Sequence, residues 1–433
     1  MQRVDYNKII VAHPGRQHSF RVAEALEKRG MLYRYVTTVY DKDSSLLMKI
    51  TKRFLKGDNL NRANKRKMKT VDDSKVVQFC ELSGLLLLLV LRIDKSRKIS
   101  EWLEHHISVK FQKKLAKFII KEKIGVVISY DVNSSVLFDI LKEKAPEVIR
   151  IIDDAHPNRN YLYKVYNEKL DACKEFAVTY EAEAGGFLVK KDVADSYGIE
   201  SKKADLHIVA STFSKESVKY NGFKDEQIII APYGVNNTAF IPLNKDYNHG
   251  LKVLFVGEVN QRKGIVQILD SAKYLKSNNY DIEFNIVGAG KSFHEELYTP
   301  YEKYVNFRGR VSFEDLQKFY GTSHIFVFPS MGEGFGLVLL EALSAGLPII
   351  ASKNCGGPDI IEEGVNGFTV DAGDTSQLTE RILWFYNNMD KLSEMQQKAI
   401  DSVKDKTWEN YENVLTRQLN EKIREVIRNK ENE

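Results

Sequence analysis

Three cysteines stand in a chain of 433 residues, and Cys80, Cys173 and Cys355 lie far apart. An odd, scattered set makes no disulfide framework, and without a C-x-x-C there is no cysteine zinc site. A reducing compartment is the simplest setting. Long apolar runs are missing too. The longest, Leu85 to Leu91, falls far short of the ~20 residues that span a bilayer. The opening MQRVDYNKIIVAHPG has no apolar region of signal-peptide length, so the expected location is cytoplasmic. A net charge of +5 gives no reason to expect nucleic acid as a partner. The fingerprint G-x-G-x-x-G does not occur, which weakens a nicotinamide or flavin reading. Val287-Gly288-Ala289-Gly290-Lys291-Ser292 imitates the end of a phosphate loop, but Asn285 stands where the first glycine belongs. A strand-end turn is expected there. Asp41-Lys42-Asp43 spells an Asp-x-Asp metal pair without the surrounding pattern, and the nine histidines form no convincing ligand cluster. No metal is expected.

Hydrophobic residues make up 43% and charged residues 28%, the balance of a globular protein with room for two cores. Lys8–Ala12 reads as a buried strand and His13–His18 as a turn. Ser19 reads as the N-cap of a helix ending at Gly30, and Leu32–Val39 as the next strand. This is how a doubly wound α/β domain opens. Gly125–Ser129, Val148–Ile152, Ala204–Ala210 and Ile228–Ile230 continue it as strands, with a long helix over Ile99–Lys123. Polar Leu243–Gly250 reads as a linker. The plan then starts again. Lys252–Val256 is a strand, Gly257–Gly264 a loop, and Ile265, Ile268, Leu269, Ala272 and Leu275 make a helical stripe. Two α/β domains are therefore expected, at 1–242 and 251–405, joined by 243–250 and followed by an amphipathic helix within 406–433.

The densest signal is Pro329 to Gly346, PSMGEGFGLVLLEALSAG, which follows the apolar strand Ile325–Phe328. Gly332, Gly334 and Gly336 make a turn, and a helical pattern begins at Leu337. Strand, glycine loop and helix aim backbone N–H groups at one point, which suits an anion or polar ligand. Glu333 lies in the loop and Glu341 eight residues on, in the helix. Carboxylates repel phosphate but accept from hydroxyls. A diphosphate joined to hydroxyl-rich rings satisfies both, which describes a sugar nucleotide.

The E-G-F-G-L-V-x-x-E-A pattern resembles the signature of the family-4 retaining glycosyltransferases, whose fold is GT-B. Ala345-Gly346-Leu347-Pro348, Gly356-Gly357-Pro358 and Asn366-Gly367-Phe368 follow in the same order. Pro232-Tyr233-Gly234-Val235-Asn236 also resembles a family segment, with Asn236 in place of aspartate. The resemblance is strong over about 230–375 and topological before that. It implies two Rossmann-like domains facing each other across a cleft, with the last helix crossing back to the first domain. It implies a nucleotide-sugar donor, with a UDP-sugar favoured, no further cofactor, and a sugar or lipid-linked acceptor. Glu333, His156 and Lys263 would be catalytic. Gly15, Arg262, Lys263, Arg310, Val311, Gly334, Phe335, Gly336, Leu337, Val338 and Glu341 would line the donor. Glu258 departs from the pattern, since it takes the usual place of an arginine; Arg262 is the expected compensation. A sugar-nucleotide epimerase of the same fold and a non-catalytic partner subunit of a transferase remain as alternatives. Lys49–Lys69 carries nine Lys or Arg and one acid, hence +8 in a chain of net +5. A solvated loop accounts for such a run. The sharper expectation is peripheral attachment to an anionic membrane surface through Lys65, Arg66, Lys67 and Lys69.

Overall fold

The computed structural model describes residues 4–16, 18–94, 97–168, 175–181, 190–243, 245, 250–291 and 294–432. Gln17 of the first turn, Cys173, Ser292 and most of the expected linker (244 and 246–249) lie outside the described residues. Among the described residues thirteen strands form two sheets, every pairing parallel. The first holds β1 (Asp5–Ala12), β2 (Leu32–Thr37), β3 (Val76–Gln78), β4 (Ile124–Tyr130), β5 (Ile149–Asp153), β6 (Leu206–Val209) and β7 (Ile228–Ile230), in the order 3-2-1-4-5-6-7. The second holds β8 (Leu251–Val256), β9 (Ile282–Val287), β10 (Asn306–Gly309), β11 (Ile325–Phe328), β12 (Ile349–Ser352) and β13 (Gly367–Val370), in the order 10-9-8-11-12-13. Parallel strands covered by helices on both faces need apolar residues on both sides. Every residue of β4, IGVVISY, is accordingly buried. In each sheet the order reverses once, between β1 and β4 and between β8 and β11. Loops leaving the carboxyl ends of those strands open a crevice there.

Local boundaries differ from the sequence reading in places, each for a physical reason. The first helix spans Ser19–Lys28, and His18 rather than Ser19 is its N-cap residue. The Ser19 hydroxyl is buried, donates to the Arg16 carbonyl at 2.5 Å and lies 2.9 Å from the Tyr35 hydroxyl, so it is not free to cap. β2 stops at Thr37, where the Thr37 and Thr38 hydroxyls turn to the Gly15 and Pro14 carbonyls. The basic block is a loop only in its last part. It folds first as helices Leu46–Phe54 and Gly57–Asn64, the first capped by Ser45, whose hydroxyl oxygen accepts from Met48 N–H at 3.1 Å, while Lys65, Arg66, Lys67 and Lys69 follow in turns and irregular backbone. Leu85–Leu91 lies inside helix Glu81–Ile93.

The helix Trp408–Asn432 packs on the first half of the chain, although it follows the second sheet. Gln418 exchanges hydrogen bonds with both backbone groups of Ile230, and Lys28 pairs with Glu412 at 2.7 Å. Leu415 and Leu419 are fully buried. The crossing is close: a Cβ on Gly234 would stand 2.2 Å from the Thr407 carbonyl carbon. Truncating a buried leucine loses its transfer energy and leaves a cavity. Leu415→Ala is expected to cost ~2–5 kcal/mol, read as faster amide exchange in both the last helix and β7. Loss of protection in the helix alone would show that β7 does not depend on it.

Candidate functional site

β11 is a fully buried strand, and the chain leaves it through Pro329 into the glycine loop. Three backbone bonds shape that loop. Met331 N–H donates to the Arg262 carbonyl at 2.8 Å, Glu333 N–H to Asn354 at 2.9 Å, and Gly356 N–H to Phe335 at 2.8 Å. Gly264, in the loop after β8, has a φ of +75°, and a Cβ there would stand 2.0 Å from the Pro329 carbonyl oxygen. Only glycine permits that approach. It brings Arg262 and Lys263 onto Glu333. Arg262 Nη1 donates to Glu333 Oε2 at 2.9 Å, and Lys263 Nζ donates to the same oxygen. The three side chains are only 13–16% exposed. Burial pushes the Glu333 pKa up, but the charges of Lys263, Arg262 and His156 outweigh it and hold the carboxyl well below the usual range.

The first half of the chain closes on this loop. A Cβ on Gly334 would stand 2.5 Å from the Ala155 carbonyl oxygen. The Gly334 carbonyl accepts from the Ser211 hydroxyl at 2.5 Å and the Ser214 hydroxyl at 2.9 Å. Asp359 accepts from Thr212 N–H at 2.9 Å. His156, just past β5, has a solvent-exposed side chain, but protein around the cleft buries much of the ring's surroundings. That burial disfavours its charged form; Asp131 and Glu333 favour it, while Arg262 and Arg159 oppose it. The carboxyl ends of the two sheets therefore meet at Glu333 and His156.

The other expected donor residues are arranged around this centre. Gly15 follows β1, its N–H donating to His13 Nδ1 at 2.7 Å. Phe335 is buried, edge-on to Tyr233 with ring centroids 5.8 Å apart. Gly336 precedes helix Leu337–Ser344, so the N–H groups of Leu337 and Val338 point out of its first turn. Glu341 accepts from the Tyr320 hydroxyl at 2.9 Å; burial raises its pKa and that bond lowers it in part. Arg310 is exposed and Val311 packs half-buried against the second core. Glu258 is exposed. Of the four basic residues, Lys65 and Lys69 are exposed, Arg66 is half-buried, and Lys67 is paired with Asp43 at 2.7 Å and Asp73 at 3.4 Å. Asp41 is paired with Lys52 at 2.6 Å, so neither carboxylate of the Asp41-Lys42-Asp43 spelling stands alone. No group of three or more His, Cys, Asp or Glu among the described residues could hold a metal ion.

Several groups at the cleft had no role in the sequence reading. His18 stacks on Tyr233 with centroids 5.0 Å apart, and burial, then His156, lowers its pKa. Asp131 pairs with Arg159 at 3.8 Å. Asp154 meets His207 at 2.6 Å, both buried. Glu200 accepts from the N–H groups of Val132, Ser134 and Ser135 at 2.7–2.9 Å. Burial nonetheless pushes its pKa up to about 7. The sequence signal for Asp153 and Asp154 was a carboxylate doublet at a strand end. The others come together only through the fold.

Residues 241–402 match the family model of the glycosyl transferases group 1. The group 1 segment thus contains β8 to β13 and every residue from Arg262 to Glu341 named above. An uncharacterised glycosyltransferase of Methanocaldococcus jannaschii, MJ1178, is 29% identical over 214 residues, 48% of this chain and 56% of that protein. The capsular polysaccharide biosynthesis glycosyltransferase CapM of Staphylococcus aureus is 26% identical over 41% of this chain and 51% of its own. The chain spans about half the length of these curated relatives. Sucrose-phosphate synthase from Thermosynechococcus elongatus superposes with a TM-score of 0.62 at 17% identity, covering 95% of this chain and 98% of that one. Anabaena HepE in complex with UDP and glucose gives 0.57 at 15%, covering 96% and 99%. These likenesses show a two-domain α/β fold of the GT-B type.

The buried doublet makes stability depend on pH. Burial raises the Asp153 pKa from 3.8 to about 8, with the nearby Tyr130 hydroxyl opposing and the charges of Asp154 and Asp131 adding to it. Between those values the folded chain holds a proton that the unfolded chain has released. Stability therefore falls as pH rises through that window. Asp153→Asn is expected to flatten the fall, compared by urea midpoints at about pH 5 and 8. Glu200, shifted the same way, leaves a smaller slope behind. An unchanged slope would show that Asp153 ionises normally.

Proposed function

We propose that the chain is a retaining glycosyltransferase of the family-4 type. It moves a sugar from a nucleoside-diphosphate sugar to a hydroxyl of a sugar or lipid-linked acceptor, in assembly of a surface polysaccharide or glycolipid. The observation that carries the reading is the Glu333–Lys263–Arg262 cluster, built on the glycine loop and facing His156 across the cleft. CapM, named for capsular polysaccharide, supports the product class, and HepE, solved with UDP and glucose, supports a UDP-sugar donor.

In this reading the donor diphosphate takes Lys263 and Arg262 away from Glu333. The released carboxylate accepts from hydroxyls of the donor sugar, which also meets His156. The bond from the anomeric carbon to the diphosphate oxygen breaks, and its electron pair stays on the diphosphate. Lys263, Arg262 and the N–H groups of Leu337 and Val338 hold that charge. Preorganised donors of this kind each contribute ~10²–10³ in rate. The acceptor oxygen bonds to the same face of the sugar, and its proton goes to the departing oxygen. Glu341 takes the ribose hydroxyls, while Arg310 and Val311 flank the base.

The test is release of UDP from a panel of UDP-sugars with and without acceptor sugars, with the product anomer read by NMR. Donor isomerised without acceptor would favour an epimerase, and no turnover with any donor would sink the reading. Lys263→Ala is expected to weaken UDP binding and to cut turnover by about 10–150-fold, the worth of one charged hydrogen bond. Glu333→Gln should cut turnover similarly but tighten UDP binding, because it removes a carboxylate that competes with phosphate for both cations. Equal weakening of UDP binding by the two changes would overturn that division. With the diphosphate charge met by two side-chain cations, turnover is expected to persist in excess chelator. Complete loss restored by a divalent ion would contradict this mechanism.

A further inference from the structure

The helix Glu81–Ile93, ELSGLLLLLVLRI, is apolar around nearly its whole circumference. Such a helix belongs inside a core or against lipid. Here Gly84 is its one buried residue. Leu82, Leu86, Leu89 and Ile93 are 69, 50, 56 and 78% exposed, and their spacing puts them on one face. Helix Leu46–Phe54 repeats the pattern. Leu46, Ile50 and Phe54 are 69, 44 and 81% exposed, again as one stripe. The Ser45 hydroxyl donates to the Glu81 carboxylate, so the two helices start at one point. At the far end Asp94 accepts from Ser100 N–H at 2.7 Å, which joins helix Lys98–Glu122 to the group, with Trp102 61% exposed.

Cations accompany these stripes. Lys49, Arg53, Lys56 and Arg92 are exposed. Residues 46–57 contain no acid, and Glu81, the one acid of its helix, is engaged by Ser45. The exposed acids Glu101 and Glu104 lie on the third helix, so it adds apolar surface rather than charge. Large exposed apolar patches on a monomer are uncommon and mark interaction sites. A second copy pressed symmetrically on this face would bring cations against cations. An anionic bilayer complements both the leucines and the charge. No helix among the described residues is long and apolar enough to cross a membrane.

We propose that helices Leu46–Phe54 and Glu81–Ile93 are a membrane-docking face. Their exposed leucines and Phe54 enter the interface of an anionic phospholipid bilayer, while Lys49, Arg53, Lys56 and Arg92 meet the lipid phosphates. The proposal revises the basic set read from sequence, since Lys67 is spent on Asp43 and Asp73. It rests on the lipid-linked acceptor of the proposed function only for its purpose, and the binding itself stands apart from that reading.

The test is co-sedimentation of the full chain with phosphatidylcholine vesicles, with and without phosphatidylglycerol, at low and high salt. Binding is expected only with phosphatidylglycerol and is weakened by salt. Lys49→Gln, Arg53→Gln and Lys56→Gln together are expected to weaken it by roughly tenfold or more at low salt. Leu86→Ser with Leu89→Ser, both at exposed positions, should weaken it comparably and remove its high-salt remainder. Lys67→Gln should leave it within about twofold, as an ion-paired control. Circular dichroism and UDP affinity should be unchanged in the first two variants. No preference for the anionic lipid would overturn the proposal. So would binding indifferent to the triple cation and double leucine variants, or a dimer in size exclusion that the leucine variant dissolves. Vesicle binding without UDP binding would sink the proposed function alone, and the reverse would sink the docking face alone.

Discussion

One carboxylate oxygen of Glu333 takes both Lys263 and Arg262, and the geometry of the cleft follows from that shared contact. Two cations held this close, and this little exposed, would repel each other strongly in a low dielectric. The carboxylate between them makes the arrangement tolerable. Its position is set from three sides. The Asn260 side chain accepts from Lys263 N–H at 3.2 Å, Gly264 allows the β8 loop to touch Pro329, and Asn354 accepts from Glu333 N–H. Such a site keeps a net positive charge, two cations against one carboxylate, and presents those cations to any anion that binds them better.

The two walls of the cleft differ in charge, and the difference orients what lies between them. The wall from the second sheet offers Lys263, Arg262 and outward N–H groups. The wall from the first sheet offers Asp131 and His156; the Asp153–Asp154 doublet lies buried behind them, with Asp154 on His207 and Asp153 holding its proton up to about pH 8. A diphosphate is drawn to the first set and disfavoured by the second. A neutral, hydroxyl-rich ring finds acceptors on the other side. A ligand with both parts therefore has one favourable orientation, without any group needing to move far.

Much of this was legible in the chain. The repeated strand–loop–helix plan predicted two parallel sheets because parallel strands are read as apolar runs, and β4, β11 and β12 are such runs. Glu333 stood out as a carboxylate in a glycine loop after a strand, Lys263 was named from the family resemblance, and the structure brings the two together. The pairing of Arg262 with Glu333 was not legible, since it depends on the 75° φ of Gly264 and a contact across 71 residues of sequence. His18, Asp131 and Glu200 were hidden for the same reason: each acts through neighbours brought by other strands. The Lys49–Lys69 run misled as to shape up to Asn64, and 65–69 are irregular. Its charge suggested a loop, whereas Ser45 caps a helix and the apolar residues at 46, 50 and 54 share one side of it.

The uneven reach of the resemblance has a physical origin. The family match covers 241–402, which holds the cations, the glycine loop and Glu341. A diphosphate and a ribose look alike in every nucleotide sugar, so the groups that hold them are tied to a narrow geometry. In the proposed function the first half meets the acceptor, and acceptors share no such common part. It is also the half that carries Leu46–Phe54 and Glu81–Ile93, whose exposed leucines cost solubility and give nothing to the first core. Exposed leucines at that cost, in the half to which the proposed function assigns the acceptor, make sense when the proposed bilayer repays it with apolar contact.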